Sequence, residues 1–424
     1  MAGKTDVIVV GGGASGMMAA IACARQHKSV TVLEHNDKLG RKLLATGNGK
    51  CNYTNELQKL EFYHSKNDCI VKTVFSQFDK NQTVEFFKEL GIYPRIKNGY
   101  YYPYSEQASS IVEALRLELE RLKVKIKLNE HITSIRKVED GFLALTESYQ
   151  YSSSKLILAT GGMSAASLGS DGSSYSLLKQ LGHTVTKLYP GLAGLRANET
   201  CFSKLAGIRV KAKVELLIEG KHKAVENGEV QLTKYGISGI PVFQLSRYVA
   251  IALGEKKQVK IDLDFMPDYT KEEVILLLER LIHYNAEKTL KDLLVGFFDS
   301  KLIAVLLECS GIKRQKKGSE LSESEFQMIV ERIKKFSCTI KSVNSFEQSQ
   351  VTVGGVDCNE VDCQSLESKI VSGMYLTGEL LDVDAICGGY NLQWAWSTGY
   401  VAGINAGFEK KESGKLKYDT IITN

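Results

Sequence analysis

The feature that most constrains this chain is a glycine-rich turn between an apolar strand and a helix near its start. Residues 6–10 read DVIVV, a β-branched run, and residues 11–16 read GGGASG before a helix-forming stretch. A second apolar run at residues 30–33 ends on Glu34, 18 positions after Gly16. Strand, glycine turn, helix, strand and acid in this order form the dinucleotide-binding fingerprint. The order predicts an α/β, Rossmann-like fold with a nucleotide at the turn.

Each small residue of the turn has a physical role in this interpretation. Gly11 permits the tight turn, Gly13 lets the backbone approach a pyrophosphate, and Gly16 lets the helix pack close to the strand. The first helical turn, with Ala14 and Ser15, presents unpaired N–H groups and a partial positive charge to the phosphates.

Glu34 completes the predicted site, because its carboxylate can accept hydrogen bonds from both ribose hydroxyls of an adenosine. A secretory signal formed by residues 7–24 behind Lys4 is the competing interpretation. Four glycines inside this apolar stretch make a poor signal helix, which favours the nucleotide site.

The composition indicates a globular cytoplasmic protein. A chain of 424 residues, 43% of them hydrophobic, suits two or three domains with a sizeable core. Nine scattered cysteines, an odd number without a CxxC pair, indicate reduced thiols, and the seven histidines show no metal-binding spacing. We therefore expect no metal.

The net charge of +5 and the absence of a further long apolar stretch predict neither a nucleic-acid partner nor a membrane partner. A small-molecule substrate is expected, and the oligomeric state is left open.

The pattern of elements predicts a nucleotide domain interrupted by an insertion. Helical periodicity covers residues 73–90, and a tyrosine-rich loop at residues 99–104 precedes a helix capped by Ser105. Three strands at residues 125–128, 131–138 and 142–146 lead to a buried strand that ends at Thr160 and runs into Gly161. In FAD domains of the glutathione-reductase type, this order returns the chain to the first glycine turn.

The second half predicts an inserted domain over residues 191–345, which we expect to cover the cofactor and to shape a substrate pocket. Its β-barrel covers about 191–269 and 337–345, and its helical part covers about 270–336. Two helices open with capping boxes, Thr270 with Glu273 and Ser322 with Glu325.

The FAD-binding domain is then discontinuous, comprising residues 1–190 and 346–424. In its second part a strand ends at Gly378 and Glu379, and Gly389 opens a final helix.

Four long segments resemble one bacterial family. They are residues 40–52 (GRKLLATGNGKCN), 228–247 (GEVQLTKYGISGIPVFQLSR), 351–356 (VTVGGV) and 378–403 (GELLDVDAICGGYNLQWAWSTGYVAG). The chain resembles the FAD-dependent family of aminoacetone oxidase and BaiN, the 3-dehydro-bile acid Δ4,6-reductase, from end to end. This resemblance implies a split glutathione-reductase-type FAD domain with an inserted β-barrel and helical domain.

The resemblance also implies a set of FAD contacts. They are Ser15, Glu34, His35, Arg41, Lys42, Thr46, Gly47, Asn48, Ile132, Glu379, Asn391 and Leu392. The chain departs from the expected pattern at Ile240, which intervenes before Pro241, and at Cys387 with its preceding isoleucine.

The chemistry of these residues suits a flavin nucleotide. Arg41 and Lys42 can pair with the pyrophosphate, although two solvated loop cations are the alternative. Residues 46–48 can bond the polar edge of the isoalloxazine, or form an ordinary turn. The helix opening at Gly389 can stabilise negative charge on the reduced ring. Glu379 can hold the ribityl chain, or be a surface or cap carboxylate.

No catalytic acid or base is predicted from the sequence. Cys51 is interpreted as a structural thiol, because Lys50 alone does not establish a depressed pKa. Tyr235 is a weak candidate for a proton donor. The tyrosines at 100, 101, 102 and 104 are core or loop residues that could also line an apolar substrate site.

Three functions follow from these features. The first is NAD(P)H-linked reduction of an electron-poor C=C bond in an apolar substrate, as in the bile-acid reductase. The second is oxidation of a small amine with release of hydrogen peroxide, as in aminoacetone oxidase. The third is an RNA-binding flavoprotein. Because one G-x-G-x-x-G exists, NAD(P)H would act as a transient co-substrate without a Rossmann domain of its own.

Overall fold

The computed structural model describes residues 4–408. The outermost parts of the predicted FAD-binding domain, residues 1–3 and 409–424, lie outside the described residues.

The strands and helices are numbered in chain order. The strands are β1 (Thr5–Val10), β2 (Val30–Leu33), β3 (Thr54–Asn55), β4 (Tyr63–His64), β5 (Pro94–Lys97), β6 (Tyr100–Pro103), β7 (Lys125–Lys127), β8 (Ser134–Val138), β9 (Gly141–Leu145), β10 (Gln150–Leu158), β11 (Tyr189–Gly191), β12 (Leu195–Ala197), β13 (Arg209–Ile218), β14 (Lys221–Thr233), β15 (Gly236–Ser238), β16 (Val259–Asp264), β17 (Phe336–Val343), β18 (Val351–Val353), β19 (Met374–Leu376) and β20 (Asp384–Ala385). The helices are α1 (Ala14–Ala24), α2 (Arg41–Ala45), α3 (Asp68–Phe75), α4 (Lys80–Glu89), α5 (Ala108–Arg121), α6 (Ser173–Gln180), α7 (Ile240–Gly254), α8 (Lys271–Tyr284), α9 (Leu290–Leu294), α10 (Ser300–Cys309), α11 (Glu323–Lys334) and α12 (Tyr390–Gly407).

A mixed seven-stranded sheet forms the centre of a Rossmann-like α/β domain. The order is β7-β2-β1-β10-β9-β8, and β19 also pairs with β10. Strands β7, β2, β1, β10 and β19 are parallel, whereas the pairs β10–β9 and β9–β8 are antiparallel. Both faces of the parallel part are covered, and all four residues of β2 (VTVL) are buried. The carboxyl ends of β1, β10 and β19 meet at one edge, where ligands of such sheets bind.

Helices α1 and α12 pack together at unusually close range. A Cβ added at Gly399 would lie 2.3 Å from the carbonyl oxygen of Ser15, and one at Gly403 would lie 2.5 Å from that of Ala19. These two glycines therefore let the final helix contact the helix that follows the glycine turn. This contact brings the start of α12 to the carboxyl edge of the sheet.

A second group of strands forms a closed barrel in the order β12-β15-β14-β13-β16-β17. The buried apolar side chains fall into two clusters. One is drawn from residues 7–178 and 356–406, and the other from residues 195–340, where α7 to α11 pack with the barrel. No helix within residues 4–408 combines the length and the apolar character that a membrane span requires.

Three local predictions were wrong. The helix predicted over residues 73–90 is two helices, because Asp79 begins α4 with a complete capping box and so separates it from α3. The loop predicted over residues 99–104 contains β6, which pairs with β5 and β3. Ser105 does not cap α5, whose N-cap residue is Gln107. The capping boxes predicted at Thr270 and Ser322 are confirmed.

Candidate cofactor and substrate site

A cavity of about 620 Å³ lies at the carboxyl edge of the central sheet. The ends of β1 and β10, the segment around α2, the first turn of α12 and the first turn of α7 all contribute to its wall. Its volume lies within the range of roughly 300–1,000 Å³ that is typical of ligand sites.

The glycine turn forms one end of the cavity. A Cβ added at Gly16 would lie 1.9 Å from the carbonyl oxygen of Gly11, and one at Gly11 would lie 2.4 Å from that of Ala159. By contrast, no atom lies within 4 Å of a Cβ added at Gly13, which lines the cavity. Gly11 and Gly16 are thus required by the protein itself, whereas Gly13 leaves open space where a ligand can approach the backbone.

Glu34 is held rigidly at the rim of this end. Its side chain is buried, with the residue 5% exposed. Oε2 accepts a hydrogen bond from the backbone N–H of Gly12 at 2.6 Å, and Oε1 accepts from the backbone and side-chain nitrogens of Asn36 at 2.8 and 2.7 Å. A carboxylate has about four lone-pair sites, so capacity for a ligand hydroxyl remains.

An ion pair crosses the middle of the cavity wall. Lys42 Nζ donates to Glu379 Oε2 at 2.9 Å, and Glu379 Oε1 accepts from the backbone N–H of Thr352 at 2.8 Å. Arg41 donates from Nη1 to Asn36 Oδ1 at 3.0 Å. The two cations predicted to meet a pyrophosphate therefore both line the cavity, and both are tied to residues of the nucleotide end.

The segment after α2 makes a left-handed turn at the cavity. Gly47 and Asn48 have φ values of 56° and 53°, and the Thr46 hydroxyl donates to the carbonyl of Leu43 at 2.6 Å. Cys51 behind the turn is fully buried, and burial raises the pKa of its thiol to about 12. This agrees with the structural role predicted for Cys51.

The first turn of α12 faces the same space. Gly389 is its N-cap residue, and the N–H groups of the first turn have no carbonyl partner within the helix. The Asn391 amide is used structurally, since its Oδ1 accepts from the N–H of Ala385 and its Nδ2 donates to the carbonyl of Ala385, each at 2.9 Å. Ligand contacts at this helix therefore fall to backbone N–H groups.

Eighteen of the twenty residues predicted to contact a cofactor line this cavity. They are Gly11, Gly13, Ala14, Ser15, Glu34, His35, Arg41, Lys42, Thr46, Gly47, Asn48, Ile132, Thr160, Gly161, Glu379, Gly389, Asn391 and Leu392. Gly16 and Gly378 stand behind the wall, where a Cβ added at Gly378 would lie 2.8 Å from Ser15 Oγ. The structure thus brings together segments that are far apart in sequence.

The residues present fit a dinucleotide. Asn52 Oδ1 and Thr160 Oγ1 are buried, belong to residues of the cavity wall, and have no hydrogen-bond partner among the described residues. Buried polar atoms are normally paired, since leaving one unpaired costs about 1–3 kcal/mol. A ligand with its own donors and acceptors would satisfy both atoms.

For the other part of the cavity, only the tyrosines, Ile240 and Cys387 were singled out from the sequence, together with a general role for the inserted domain in shaping a substrate pocket. Its wall includes the following large side chains: Tyr100, Tyr102, Leu192, Ile240, Phe243 and Val383. The two tyrosines are two residues apart on β6 and therefore project from the same face, whereas Tyr101 projects from the other face into the core. This alternation in the sequence was the available signal. Ile240 at the start of α7 was singled out by its departure from the family pattern, whereas no local pattern indicated Phe243.

Tyr235 does not line the cavity. Its hydroxyl accepts a hydrogen bond from Asn344 Nδ2 at 3.0 Å, and the Arg196 guanidinium lies 4.9 Å from the centre of its ring. Tyr235 is therefore a part of the barrel rather than a proton donor at this site.

Comparison with known proteins places these observations in a family. The HI0933-like protein Rossmann domain matches residues 5–405. The chain is 43% identical over 397 residues to the 3-dehydro-bile acid delta(4,6)-reductase of Clostridium scindens, covering 93% of this chain and 97% of that protein. It is 30% identical over 411 residues to a ribosomal RNA dihydrouridine synthase of Haemophilus influenzae, covering 96% and 99%. A 3-ketosteroid-delta4-(5alpha)-dehydrogenase structure from Rhodococcus jostii aligns over 96% of this chain and 97% of that chain with a TM-score of 0.47 and 14% identity.

The fold, the glycine turn and these relatives define a FAD-dependent oxidoreductase with a Rossmann-like domain. The family predicted from the sequence is confirmed by these matches. The chain belongs to the HI0933-like family.

Proposed function

We propose that this protein reduces an electron-poor C=C bond of an apolar, steroid-like substrate with electrons from NAD(P)H. The observation that carries the proposal is the mixed wall of the cavity, which combines the glycine turn and its polar neighbours with large apolar side chains such as Tyr100, Ile240 and Phe243. Within residues 4–408, Arg41 and Lys42 supply the arginine and lysine side chains of the cavity wall, and both lie near the glycine turn. The aromatic and aliphatic side chains of the wall suit a neutral ring system better than a polyanion.

The nucleotide end has the donors and acceptors that FAD requires. We assign the N–H groups at the start of α1 to the pyrophosphate and Glu34 to the ribose. We assign Lys42 to the pyrophosphate and Glu379 to the ribityl chain. Bound FAD supplies the hydride in such reactions. The remaining contributions, which are binding, orientation and a proton, come from the residues of this chain.

A proton source is available at the apolar end. Reduction of a C=C bond conjugated to a carbonyl adds a hydride at the carbon remote from the carbonyl and a proton at the carbon nearer to it. Burial raises the pKa of Tyr100 and of Tyr102, so both phenols are protonated at neutral pH. Their shared face on β6 directs both toward the cavity, where a phenol can donate to the substrate carbon.

The relative with 43% identity supports the choice of substrate. That relative is a 3-dehydro-bile acid delta(4,6)-reductase, and the alignment covers almost all of both chains. The substrate class proposed here is accordingly a 3-oxo steroid with conjugated double bonds.

Anaerobic titration tests the proposal. We expect NADH or NADPH to bleach the flavin absorbance, and a 3-oxo-4,6-diene bile acid to restore it with one equivalent of reduced product. Bleaching by a small amine, with no response to either nicotinamide, would instead support an oxidase and contradict the proposal.

Reduction of uridine in ribosomal RNA is the second candidate, because a ribosomal RNA dihydrouridine synthase aligns over 96% of this chain. The C5=C6 bond of uracil is also conjugated to a carbonyl, so the same chemistry would serve. Incubating the reduced enzyme with unmodified ribosomal RNA separates the two candidates. A gain of two hydrogens on a uridine, with no turnover of the steroid, would favour this second function.

A further inference from the structure

Helix α7 of the barrel region presents one mixed face to the cofactor domain. Ile240, Phe243, Gln244 and Arg247 occur at the spacing i, i+3, i+4 and i+7, which places them on one side of a helix. Other side chains of α7, including Val242, Leu245 and Val249, are buried in the barrel cluster. The helix is therefore fixed to the barrel while this face contacts the rest of the molecule.

The polar half of this face is bonded to the segment that precedes α12. Gln244 Oε1 accepts a hydrogen bond from the backbone N–H of Cys387 at 2.8 Å. Arg247 Nε donates to Asp384, at 2.9 Å from Oδ2 and 3.1 Å from Oδ1. The Asp384 side chain is only 3% exposed, so this ion pair lies inside the protein.

Residues 384–389, which Gln244 and Arg247 contact, also bond to two other parts of the chain. Asp384 pairs with His64 in the β20–β4 ladder. Asn55 Nδ2 donates to the carbonyl of Gly388 at 2.9 Å. Cys387, Gly388 and Gly389 line the cavity directly. The position of α7 relative to the cofactor end of the cavity is therefore fixed by side chains rather than by chain connectivity.

The apolar half of the face is part of the cavity wall. Ile240 and Phe243 both line the cavity. Ile240 is 51% exposed although it is large and apolar. An exposed apolar side chain at the rim of a cavity gains most when a ligand covers it.

We propose that α7 is the specificity wall of this enzyme, in which Ile240 and Phe243 contact the ring system of the substrate. Gln244 and Arg247 are positioning residues that set the distance between this wall and the segment at residues 384–389. The inference rests on the proposed function and adds the residues that select for a large, flat, apolar substrate over a small one.

The test compares two substrates that both have a C=C bond conjugated to a ketone but differ in size, a 3-oxo-4,6-diene bile acid and cyclohex-2-enone. Phe243→Ala and Ile240→Ala are measured as FAD-loaded enzymes, with the dissociation constant of each substrate from calorimetry and kcat/KM from turnover. We expect roughly 10- to 100-fold weaker binding and lower kcat/KM for the bile acid, with changes below about threefold for cyclohexenone. Phe297→Ala and Ile96→Ala, at exposed apolar positions outside the cavity wall, serve as controls and should change neither substrate.

The positioning role has a separate readout. Arg247→Met and Gln244→Leu should raise KM for the bile acid about tenfold with a smaller change in kcat, and Arg247→Lys should restore part of the loss. Thermal unfolding and FAD content identify any variant that does not fold. If Arg247→Met does not fold, the positioning role is tested by Gln244→Leu, which removes a single hydrogen bond.

The outcomes distinguish a failure of the inference about α7 from a failure of the proposed function. If the wild-type enzyme reduces the bile acid while Phe243→Ala and Ile240→Ala leave its binding unchanged, the inference about α7 is wrong and the proposed function stands. If the wild-type enzyme neither binds nor reduces the bile acid, the proposed function is wrong and the inference falls with it.

Discussion

Lys42 Nζ lies 2.9 Å from Glu379 Oε2, although 337 residues separate these two side chains in the sequence. The pair joins the segment around α2 to the end of β19, and both residues line the cavity. It links the two parts of the chain that the sequence analysis assigned to one discontinuous domain.

Replacing Lys42 should weaken the binding of FAD. Lys42→Met removes a cation that can form a charge-assisted hydrogen bond with a phosphate, which corresponds to roughly 10- to 100-fold in affinity. The dissociation constant is measured by adding FAD to the stripped protein and following the quenching of flavin fluorescence. Lys38→Met, at an exposed position outside the cavity wall, is the control. Equal FAD affinity in the two variants would exclude a phosphate contact for Lys42.

Two glycines of the same turn should respond in opposite ways to alanine. Gly16→Ala places a methyl group 1.9 Å from the carbonyl oxygen of Gly11 and should lower the free energy of unfolding by about 1–3 kcal/mol. Gly13→Ala meets no protein atom within 4 Å and should leave the apoprotein as stable as the wild type. Its methyl group projects into the cavity, so FAD affinity should fall at least about tenfold. Denaturant unfolding of the apoproteins and FAD titration provide the two measurements, and loss of stability in Gly13→Ala would contradict this account of the turn.

The phenols on β6 should affect only the half of the reaction that consumes the alkene. Removing both in Tyr100→Phe/Tyr102→Phe should slow reoxidation of the reduced enzyme by the bile acid about 100-fold or more, because general acids contribute roughly 10²–10⁴ in rate. The rate at which NAD(P)H reduces the flavin should not change. Tyr104→Phe, outside the cavity wall, is the matched control. Stopped-flow absorbance resolves the two half-reactions, and equal slowing of both would point to a disturbed cofactor instead of a lost proton donor.

The ion pair that anchors α7 should make stability depend on pH. Burial raises the pKa of Asp384 to about 7, against the opposing charge of Arg247, from 3.8 in the unfolded chain. Between about pH 4 and 7 the folded protein therefore retains a proton that the unfolded chain has released, so this group lowers the free energy of unfolding as pH rises. Burial also lowers the pKa of His64 to about 4, and this neighbour acts in the opposite direction as pH falls below 6.5.

Asp384→Asn isolates the carboxylate, because the contribution of His64 is present in both proteins. Relative to the wild type, the variant should gain about 2 kcal/mol between pH 5 and pH 8. Urea unfolding at several pH values provides the comparison, and in the variant the Arg247 charge lacks the Asp384 carboxylate at every pH. Parallel stability curves would show that Asp384 does not titrate in this range.

The local sequence predicted the nucleotide end well. The glycine turn, the strand β2 ending before Glu34 and the helix α12 after Gly389 all depend on contacts within a few residues. The family resemblance added positions such as Ile132, which no local pattern singles out. The break between α3 and α4 was missed, although Asp79 and Gln82 stand at capping-box spacing and no apolar residue occurs between Phe78 and Val84.

The apolar end depended on tertiary contacts that the sequence did not reveal. Phe243 reaches the cavity because Gln244 and Arg247 bond to a segment some 140 residues further along the chain. The Asn391 amide was expected at the cofactor, but it is engaged by Ala385, a contact that follows from the bend of the chain before α12. The spacing of residues in the sequence does not identify side chains whose position depends on contacts with other segments of the folded chain.

The central claim is that the cavity between the glycine turn and α12 holds FAD. The most direct measurement is the visible absorbance spectrum of the purified protein, followed by release and quantification of the bound nucleotide. The account predicts a flavin spectrum and one FAD for each chain. A correctly folded, colourless protein that binds no FAD when it is supplied would contradict it.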